Sequence, residues 1–241
     1  MASTDENRKR FADSVVNFLL QYNFNGVDLD WEYPVSGGGP GTVINPADKE
    51  NFPLMLQKIR EKLDAQEETD GKHYSLSIAG GANSSFANNT TIGDSQKYLD
   101  YIQLMTYDIH GNWEAKADYN APLYDDNGLT YSVDKAVNIF LDAGVPKEKL
   151  IMGVPFYGYQ YTVTSTEDNG LRQNFTSGGA IAYKSILSGD LENNGYTRYW
   201  SEGAQVPYYW NPTTKHFITY DDPESLKLKA EYIKEKGLGG S

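Results

Sequence analysis

The sequence predicts an α/β protein built around a parallel β-sheet, and three observations lead to this fold class. Segments with the period-two pattern of a strand alternate with segments of helical spacing, which is typical of βαβ units. The strand-like segments run into loops, where parallel sheets place their active sites. From residue 159 to about 225 the pattern changes to short Tyr- and Thr-rich segments broken by Gly, Asn and Pro, which predicts a small α+β insertion.

The first half of the chain begins with a helix over residues 3–23, where Ser3 and Glu6 form a possible capping box and Asn23 is a stop signal. The alternating segment 26–34 predicts the first strand. An apolar stripe over residues 52–63 predicts the next helix. We expect Pro53 to lie in the first turn of that helix, because deeper in the helix it would cost a backbone hydrogen bond.

The remaining elements follow the same alternation. Residues 74–82 and 101–108 predict the second and third strands, residues 132–145 a helix, and residues 149–158 a fourth strand. Asp222 is the expected cap of the last helix, with Pro223 at its first position.

Composition excludes several classes of function. The formal net charge of −12 argues against a nucleic-acid partner, because phosphates require clustered Lys and Arg. No apolar run approaches the 18 or so residues that suggest a membrane span. Cysteine is absent, which excludes disulfides and thiolate chemistry. The Gly-rich segment 37–41 matches neither phosphate-loop spacing, and no other feature predicts a cofactor.

The segment GVDLDWEYP, residues 26–34, carries the chemistry. Its alternation places Asp28, Asp30 and Glu32 on one face, with about 6.6 Å between successive acids along a strand. Val27, Leu29 and Trp31 would pack on the other face, against helices. Three adjacent carboxylates cannot all stay ionised cheaply, so at least one should hold a proton near neutrality. A protonated acid beside ionised neighbours is what general acid catalysis requires.

Two other interpretations of the three acids stay open. The segment could be a solvated edge strand with an acidic outer face. It could also hold Mg²⁺ or Ca²⁺, which bind such oxygens, although no second acidic cluster accompanies it, and we predict no metal. A retaining glycosidase with an enzyme nucleophile needs carboxyls on both sides of the sugar. Because Asp30 and Glu32 approach from the same side, the nucleophile would come from elsewhere, one known source being the substrate's own 2-acetamido oxygen.

Several motifs of the sequence resemble those of a known family. NGVDLDWEYP is similar to the signature strand of glycoside hydrolase family 18, the chitinases, usually written DGxDxDWEYP. Further similar motifs occur in the family's order: SIAGGA, MTYD at 105–108, HGNW at 110–113, APLY at 121–124 and GVPFYG at 153–158. The resemblance implies a (β/α)₈ TIM barrel with its site at the carboxyl ends of the strands.

The resemblance also implies a role for each acid. Glu32 would be the general acid that protonates the leaving oxygen and then activates water. Asp30 would hold the acetamido N–H and stabilise the oxazolinium-type intermediate, while Asp28 would share a proton with Asp30. Tyr107 would hydrogen-bond the acetamido oxygen.

The same resemblance suggests substrate-binding residues. Met105 would floor the pocket and Asp108 would contact the sugar on the leaving-group side. Trp113 and Tyr157 are candidate stacking platforms, each about equally well explained by plain packing. The remaining candidate for sugar contact is Tyr33.

Two residues depart from the family pattern. Asn25 stands where the family has its first acid, and Tyr159 stands where the GVPFYG strand usually continues with Arg. An amide at Asn25 can keep hydrogen bonds but loses charge coupling to Asp28. Tyr159 leaves sugar affinity at that position open.

The resemblance divides the chain into a partial barrel (1–158), a chitinase insertion domain (159–225) and a return to the barrel with the last helix and the start of a final strand (226–241). Without 159–225, 174 of the 241 residues remain, whereas a complete barrel takes about 250. We therefore expect an incomplete barrel with about strands 4 to 7, whose exposed edges could promote self-association.

The function predicted first is hydrolysis of β-1,4-linked N-acetylglucosamine in chitin or its oligosaccharides, with retention. The alternatives are a non-catalytic chitin-binding lectin, an inactive fragment, or an endo-β-N-acetylglucosaminidase. Family inference predicts a secreted or extracellular protein, although residues 1–10 lack the apolar stretch of a signal peptide.

Overall fold

The computed structural model describes residues 1–126 and 131–241. The α-helices in these ranges are α1 (Asp5–Tyr22), α2 (Asp48–Asp70), α3 (Ser84–Asn89), α4 (Ile92–Ser95), α5 (Val133–Asp142), α6 (Tyr183–Ser188) and α7 (Pro223–Lys236). The strands are β1 (Gly26–Leu29), β2 (Ser75–Gly81), β3 (Tyr101–Met105), β4 (Leu150–Met152), β5 (Tyr157–Val163), β6 (Phe175–Ala182), β7 (Thr197–Ser201), β8 (Val206–Asn211) and β9 (His216–Thr219). None of the helices in the described ranges is long and apolar enough to cross a membrane.

The chain divides into two compact units. The first unit comprises Met1–Met105, Val137–Met152 and Gly237–Gly240, and the second comprises Thr106–Ala136, Gly153–Lys236 and Ser241. The predicted domain boundaries at residues 159 and 225 stay a prediction.

A parallel sheet in the order β1-β2-β3-β4 forms the centre of the first unit. This confirms the parallel α/β sheet that the alternation predicts. The period-two pattern gives the sheet two faces. One face is buried, with Leu76, Ile78, Ile102 and Leu104 at most 1% exposed. The other face carries the polar side chains of Asp28, Ser77 and Gln103. Gly240 makes a parallel bridge to Ile151, beside β4.

Both predicted helices of the first unit are present, but their starts differ from the prediction. Thr4, not Ser3, caps α1, because its hydroxyl accepts the Asn7 N–H at 3.2 Å. Asn23 ends α1 in the left-handed conformation, as predicted. The prediction for Pro53 is wrong. A turn at Asn45 starts α2 at Asp48, so that Pro53 is its sixth residue and removes one helical N–H donor.

Two predicted strands are shorter than expected. The ladder of β1 ends where Leu29 pairs with Ile78, so Asp30 and Glu32 lie in the segment that follows the strand. The predicted strand 149–158 is two strands. β4 ends at Met152, and Tyr157 begins β5 by pairing antiparallel with Ala182.

In the second unit, the short segments form an antiparallel sheet in the order β6-β5-β9-β8-β7. Its core is aromatic and includes Tyr119, Tyr161, Trp210 and Phe217. Asp222 caps α7 as predicted, since its Oδ1 accepts the backbone N–H groups that follow at 3.0 and 3.1 Å.

A surface histidine in the first unit gives a prediction of pH-dependent stability. His73 contacts Glu67 at 3.1 Å through Nδ1 and Asp100 at 3.0 Å through Nε2. Glu67, and then Asp100, raise the pKa of His73 above its ordinary 6.5. A raised folded-state pKa stabilises the protein fully below the unfolded pKa, and this stabilisation is lost as pH rises through the folded pKa.

We therefore expect the stability difference between the unmodified chain and His73→Gln to be largest near pH 6 and to vanish in alkaline solution. Thermal unfolding from pH 5.5 to 9 measures it. In a Glu67→Gln background the pH dependence of the difference should shrink, because the stronger partner is gone. A difference that stays constant across this range would contradict the role assigned to the His73 charge.

Candidate active site

The three acids of the signature segment lie at and beyond the end of β1. Asp28 is on the polar face of β1, whereas Asp30 and Glu32 follow the strand, and all three side chains are exposed. They are thus less buried than the strand pattern predicts. The reason is that β1 is an edge strand of its sheet and the pairing ends before Asp30. The peptide bond after Glu32 is cis.

Asp28 is held across the sheet. Ser77, its register partner on β2, donates a hydroxyl to Asp28 Oδ1 at 2.6 Å, and Gln103 Nε2 on β3 donates to the same oxygen at 3.0 Å. No hydrogen bond among the described residues joins Asp28 to Asp30, and the proton that they are expected to share stays a prediction. Side chains two residues apart on a strand start about 6.6 Å apart, and Asp28 leans towards Ser77 instead.

Asp30 and Glu32 interact with each other. Partial burial is the largest cause that raises the pKa of Asp30 above its ordinary value, and the negative charge of Glu32 and a hydrogen bond with its side chain raise this pKa further. Such a bond between two carboxyls needs one proton. The raised pKa of Asp30 favours retention of a proton at this carboxyl, and which acid holds a proton near neutrality stays a prediction.

The acids line a cavity of about 630 Å³ in the first unit. Its lining includes Asp28, Asp30, Trp31, Glu32, Thr42 and Asn45. Trp31 also packs against Phe52 of α2 at 6.0 Å between ring centroids, which confirms that its ring faces a helix.

Two of the predicted sugar-binding residues, Tyr33 and Met105, belong to the first unit. Tyr33, directly after Glu32, is half-buried and packs edge to face with Phe86 at 6.1 Å. Met105 is the half-buried last residue of β3, in register with Gly81.

In the second unit, Asp108 collects the other predicted binding residues. Its Oδ1 accepts hydrogen bonds from the hydroxyls of Tyr157 and Tyr159, the latter at 2.9 Å. Tyr107 packs edge to face on Tyr157 at 6.2 Å, and Trp113 packs edge to face on Tyr159 at 5.9 Å. The structure thus brings four predicted or flagged aromatic residues together around one carboxylate.

Both phenols stay protonated over a wide pH range. Burial, and then the hydrogen bond to Asp108, raise the pKa of Tyr157 and of Tyr159 far above the ordinary value. Neutral phenols remain hydrogen-bond donors, so Asp108 keeps these two partners throughout the range in which a glycosidase works.

Trp113 is the most exposed member of this group, at 60%. Its indole lies over Gly111, where a Cβ atom would stand 2.2 Å from a ring carbon. The φ angle of Gly111 is one that other residues can adopt, but the indole leaves no space for a side chain at this position. The ring position therefore depends on the missing side chain.

We expect Gly111→Ala to displace the indole and weaken binding of a chito-oligosaccharide about tenfold, about 1.4 kcal/mol, as Trp113→Ala should. Isothermal titration calorimetry with chitotetraose measures both. Gly179→Ala is the control, because nothing lies within 4 Å of a Cβ there. Unchanged affinity in Gly111→Ala would argue against Trp113 as a stacking platform.

Sequence reasoning missed part of the site. Ser77, Gln103 and Asn120 were not predicted, and Tyr159 was noted only as a departure. The polar positions in the alternation of β2 and β3 could have identified the first two; no sequence signal indicates the Asn120 contacts described below. Among the described residues, no group of His, Cys, Asp and Glu is arranged to hold a metal ion.

Three carboxyl groups at and beyond the end of one strand, on the wall of a cavity, suit the acid–base chemistry of a glycoside hydrolase. Residues 1–241 match glycosyl hydrolases family 18, and the chain belongs to this family. The family's fold is a (β/α)₈ barrel, to which the parallel sheet β1–β4 corresponds.

The relatives include chitinases. The chain is 45% identical to Chitinase A1 of Niallia circulans over 258 residues, covering 100% of this chain and 37% of that protein. It superposes on Chitinase ChiA74 from Bacillus thuringiensis with a TM-score of 0.93 and 42% identity, covering 100% of this chain and 42% of that one.

A family 18 N-acetylglucosaminidase from Paenibacillus barengoltzii gives a TM-score of 0.94 and 40% identity over 99% of this chain and 71% of that one. The chain thus spans only part of the length of the curated relatives that it matches, 37% for the first.

Proposed function

We propose that the protein hydrolyses β-1,4 linkages between N-acetylglucosamine residues of chitin by substrate-assisted retaining catalysis. The observation that carries this proposal is the placement of Asp30 and Glu32 together on the wall of one cavity. The charge of Glu32 and its contact with Asp30 help to raise the pKa of Asp30, which favours the retained proton that general acid catalysis needs. Membership in family 18 and the chitinase relatives support the same reaction.

The proton shared by Asp30 and Glu32 is the one that Glu32 delivers to the glycosidic oxygen. As the bond between that oxygen and the anomeric carbon breaks, the substrate's acetamido carbonyl oxygen bonds to the anomeric carbon on the opposite face. Asp30, now ionised, accepts the acetamido N–H and stabilises the oxazolinium cation. Glu32 then takes a proton from water, which attacks the anomeric carbon and restores the acetamido group with retention.

The other residues bind and orient the sugar in this proposal. Asp28, held by Ser77 and Gln103, supplies negative charge behind Asp30. Tyr107 donates a hydrogen bond to the acetamido oxygen. The remaining contacts to the sugar are assigned to Tyr33, Met105, Asp108, Trp113 and Tyr157.

A fluorogenic chitobioside tests the proposal on the full chain. We expect release of the fluorophore, and proton NMR of the first product should show the retained β-anomer. Binding of chitotetraose without any turnover would reject the enzyme and favour a chitin-binding lectin. Absence of both would favour an inactive fragment.

A second candidate is an N-acetylglucosaminidase that releases single sugars, favoured by the 40% identity to the Paenibacillus barengoltzii enzyme. Product analysis with chitohexaose separates the two, because a chitinase gives mainly dimers and trimers at early times whereas this enzyme would give monomer first. An endo-β-N-acetylglucosaminidase, the remaining alternative, would instead cleave a high-mannose N-glycan, and the same product analysis would detect the released glycan.

The domain division at residues 159 and 225 is part of the proposal, supported by the change from parallel to antiparallel pairing at β5. Self-association through sheet edges is a further part, because β1 leaves one edge unpaired among the described residues. Size-exclusion chromatography with light scattering tests it, and a monomer at all concentrations would reject it.

We also propose an extracellular location, because an insoluble polymer does not enter cells. Immunodetection in culture medium and in washed cells tests this, and protein confined to the cell interior would reject it.

A further inference from the structure

The geometry points to Tyr159 and Asn120 as positioning residues that lock Asp108 so that only its Oδ2 is offered to a ligand. This inference concerns residues of the second unit and rests on the proposed function only for the identity of the ligand, a sugar hydroxyl.

The first half of the lock acts on the backbone. Asp108 has a φ of +53°, in the left-handed region that few non-glycine residues adopt. Its N–H donates to Asn120 Oδ1 at 2.9 Å. Asn120 is completely buried, so its amide has no competing water. The conformation of Asp108 therefore depends on a fixed acceptor in the protein interior.

Hydrogen bonds from both its backbone and its side chain hold Asn120 in place. Its Nδ2 donates to the Tyr157 carbonyl at 3.2 Å, its N–H donates to Thr219 Oγ1 at 2.9 Å, and its carbonyl accepts the Ile109 N–H at 3.0 Å. One side chain thus ties the backbones of Asp108 and Tyr157 together. Since moving this buried amide would break these hydrogen bonds in a place that water does not reach, both residues are held in one arrangement.

The second half of the lock acts on the carboxylate. The hydroxyls of Tyr157 and Tyr159 both donate to Oδ1 of Asp108. Oδ2 accepts no hydrogen bond from the described residues, and the Asp108 side chain is exposed. Oδ1 is therefore occupied by two donors, whereas Oδ2 is available to accept a hydrogen bond from a ligand hydroxyl.

Tyr159 contributes something that Tyr157 does not. It is only 6% exposed, so its ring is too buried to serve as a sugar platform, and it packs edge to face with Trp113. At the position where the family usually carries a substrate-binding Arg, this chain carries a residue that orients two other groups. We therefore assign Tyr159 to positioning and not to ligand contact.

Tyr161 provides a matched control on the same strand. It is fully buried, like Tyr159 it belongs to the aromatic core, and its hydroxyl has no partner. Tyr159→Phe and Tyr161→Phe each remove one buried oxygen. Only the first removes a hydrogen bond to Asp108.

The ligand-free crystal structures of the two variants test the lock directly. We expect the Asp108 carboxylate to rotate or to show two conformers in Tyr159→Phe and to be unchanged in Tyr161→Phe. An unchanged carboxylate in Tyr159→Phe would overturn the inference, whatever the protein binds.

Chitotetraose binding by calorimetry is the second readout. We expect a three- to tenfold larger Kd in Tyr159→Phe and no change in Tyr161→Phe, with both variants folded. If the carboxylate moves but even the unmodified chain binds no chitotetraose, the positioning role stands and the chitin assignment fails. If the carboxylate moves and affinity is unchanged, Oδ2 is not the ligand acceptor and the inference is overturned.

Asn120→Ala has its own matched control in Asn211→Ala. Asn211 is 3% exposed and its amide also bridges backbone groups, donating to Asn194 O and accepting from Thr213 and Thr214. Both variants should lose comparable thermal stability. Only Asn120→Ala should weaken chitotetraose binding, by tenfold or more; equal weakening in both would reduce Asn120 to a general structural role and overturn its part of the inference.

Discussion

Glu32→Gln should lower turnover of a chitobioside by at least about 100-fold and up to about 10,000-fold, the range that a general acid contributes. The amide keeps the shape of the side chain but cannot donate an acidic proton to the leaving oxygen. It also removes the negative charge that helps to raise the pKa of Asp30. Initial rates with the fluorogenic substrate give the size of the loss.

The matched control for this prediction is Glu68→Gln, which removes the same charge from an exposed position on α2. We expect full turnover in the control and nearly unchanged chitotetraose binding in Glu32→Gln, because the change acts on the chemical step. Equal rates in Glu32→Gln and the unmodified chain would remove Glu32 from the mechanism. A rate loss accompanied by unfolding would be visible by circular dichroism and would point to structure instead of chemistry.

The largest loss of stability is expected from a buried ion pair in the second unit. Lys229 Nζ lies 2.6 Å from Asp221 Oδ1 and 2.8 Å from the Ala121 carbonyl oxygen, and both charged side chains are 1% exposed. Ser225 Oγ donates a second hydrogen bond to Asp221 Oδ1, at 2.8 Å. Removing one partner leaves the other charge buried without compensation, which costs about 3–5 kcal/mol.

Asp221→Leu should therefore lower the free energy of unfolding by about 3–5 kcal/mol, or the midpoint temperature by roughly 10 °C for a chain of this size. The double variant Asp221→Leu/Lys229→Met should recover a large part of this loss, because no isolated charge remains. Urea unfolding of the single and double variants measures both. A double variant as unstable as the single one would show that packing, and not the buried charge, dominates the cost.

An exposed pair on the same helix is the control. Lys227 and Glu231 lie 3.8 Å apart with 76% and 56% of their side chains exposed. Lys227→Met should change stability by no more than about 0.5 kcal/mol, since water screens such pairs.

Most of the fold could be predicted because its signals are local. The period-two pattern identified β2 and β3, helical spacing identified α1 and α5, and Asp222 with Pro223 marked the start of α7. The errors lie where a neighbouring strand decides the outcome. β1 is shorter than its alternation because its ladder with β2 ends at Leu29, and the segment 149–158 divides because Tyr157 pairs in another sheet.

The site shows the same division between local and distant signals. The three acids and Tyr107 stand in recognisable motifs, so they could be named from the sequence. Ser77 and Gln103 hold Asp28 from two other strands, and Asn120 binds the backbone of Asp108 from twelve residues further along the chain. Such contacts depend on strand register and on how the loop folds back, so they could not be predicted from the sequence. The raised pKa of Asp30 likewise depends on its local burial and on the charge of Glu32, neither of which can be predicted from the sequence pattern alone.

The two units differ in the chromophores that they carry, and this affects how their unfolding can be observed. Trp113, Trp200 and Trp210 belong to the second unit, and Trp31 is the one tryptophan of the first. The first unit holds the 18-residue α1 and the 23-residue α2, the two longest helices described. Tryptophan fluorescence therefore reports mainly on the second unit, whereas far-ultraviolet circular dichroism reports mainly on the helices of the first unit. Coincident transitions in the two signals would mean that the units unfold together, and separated transitions that each melts by itself.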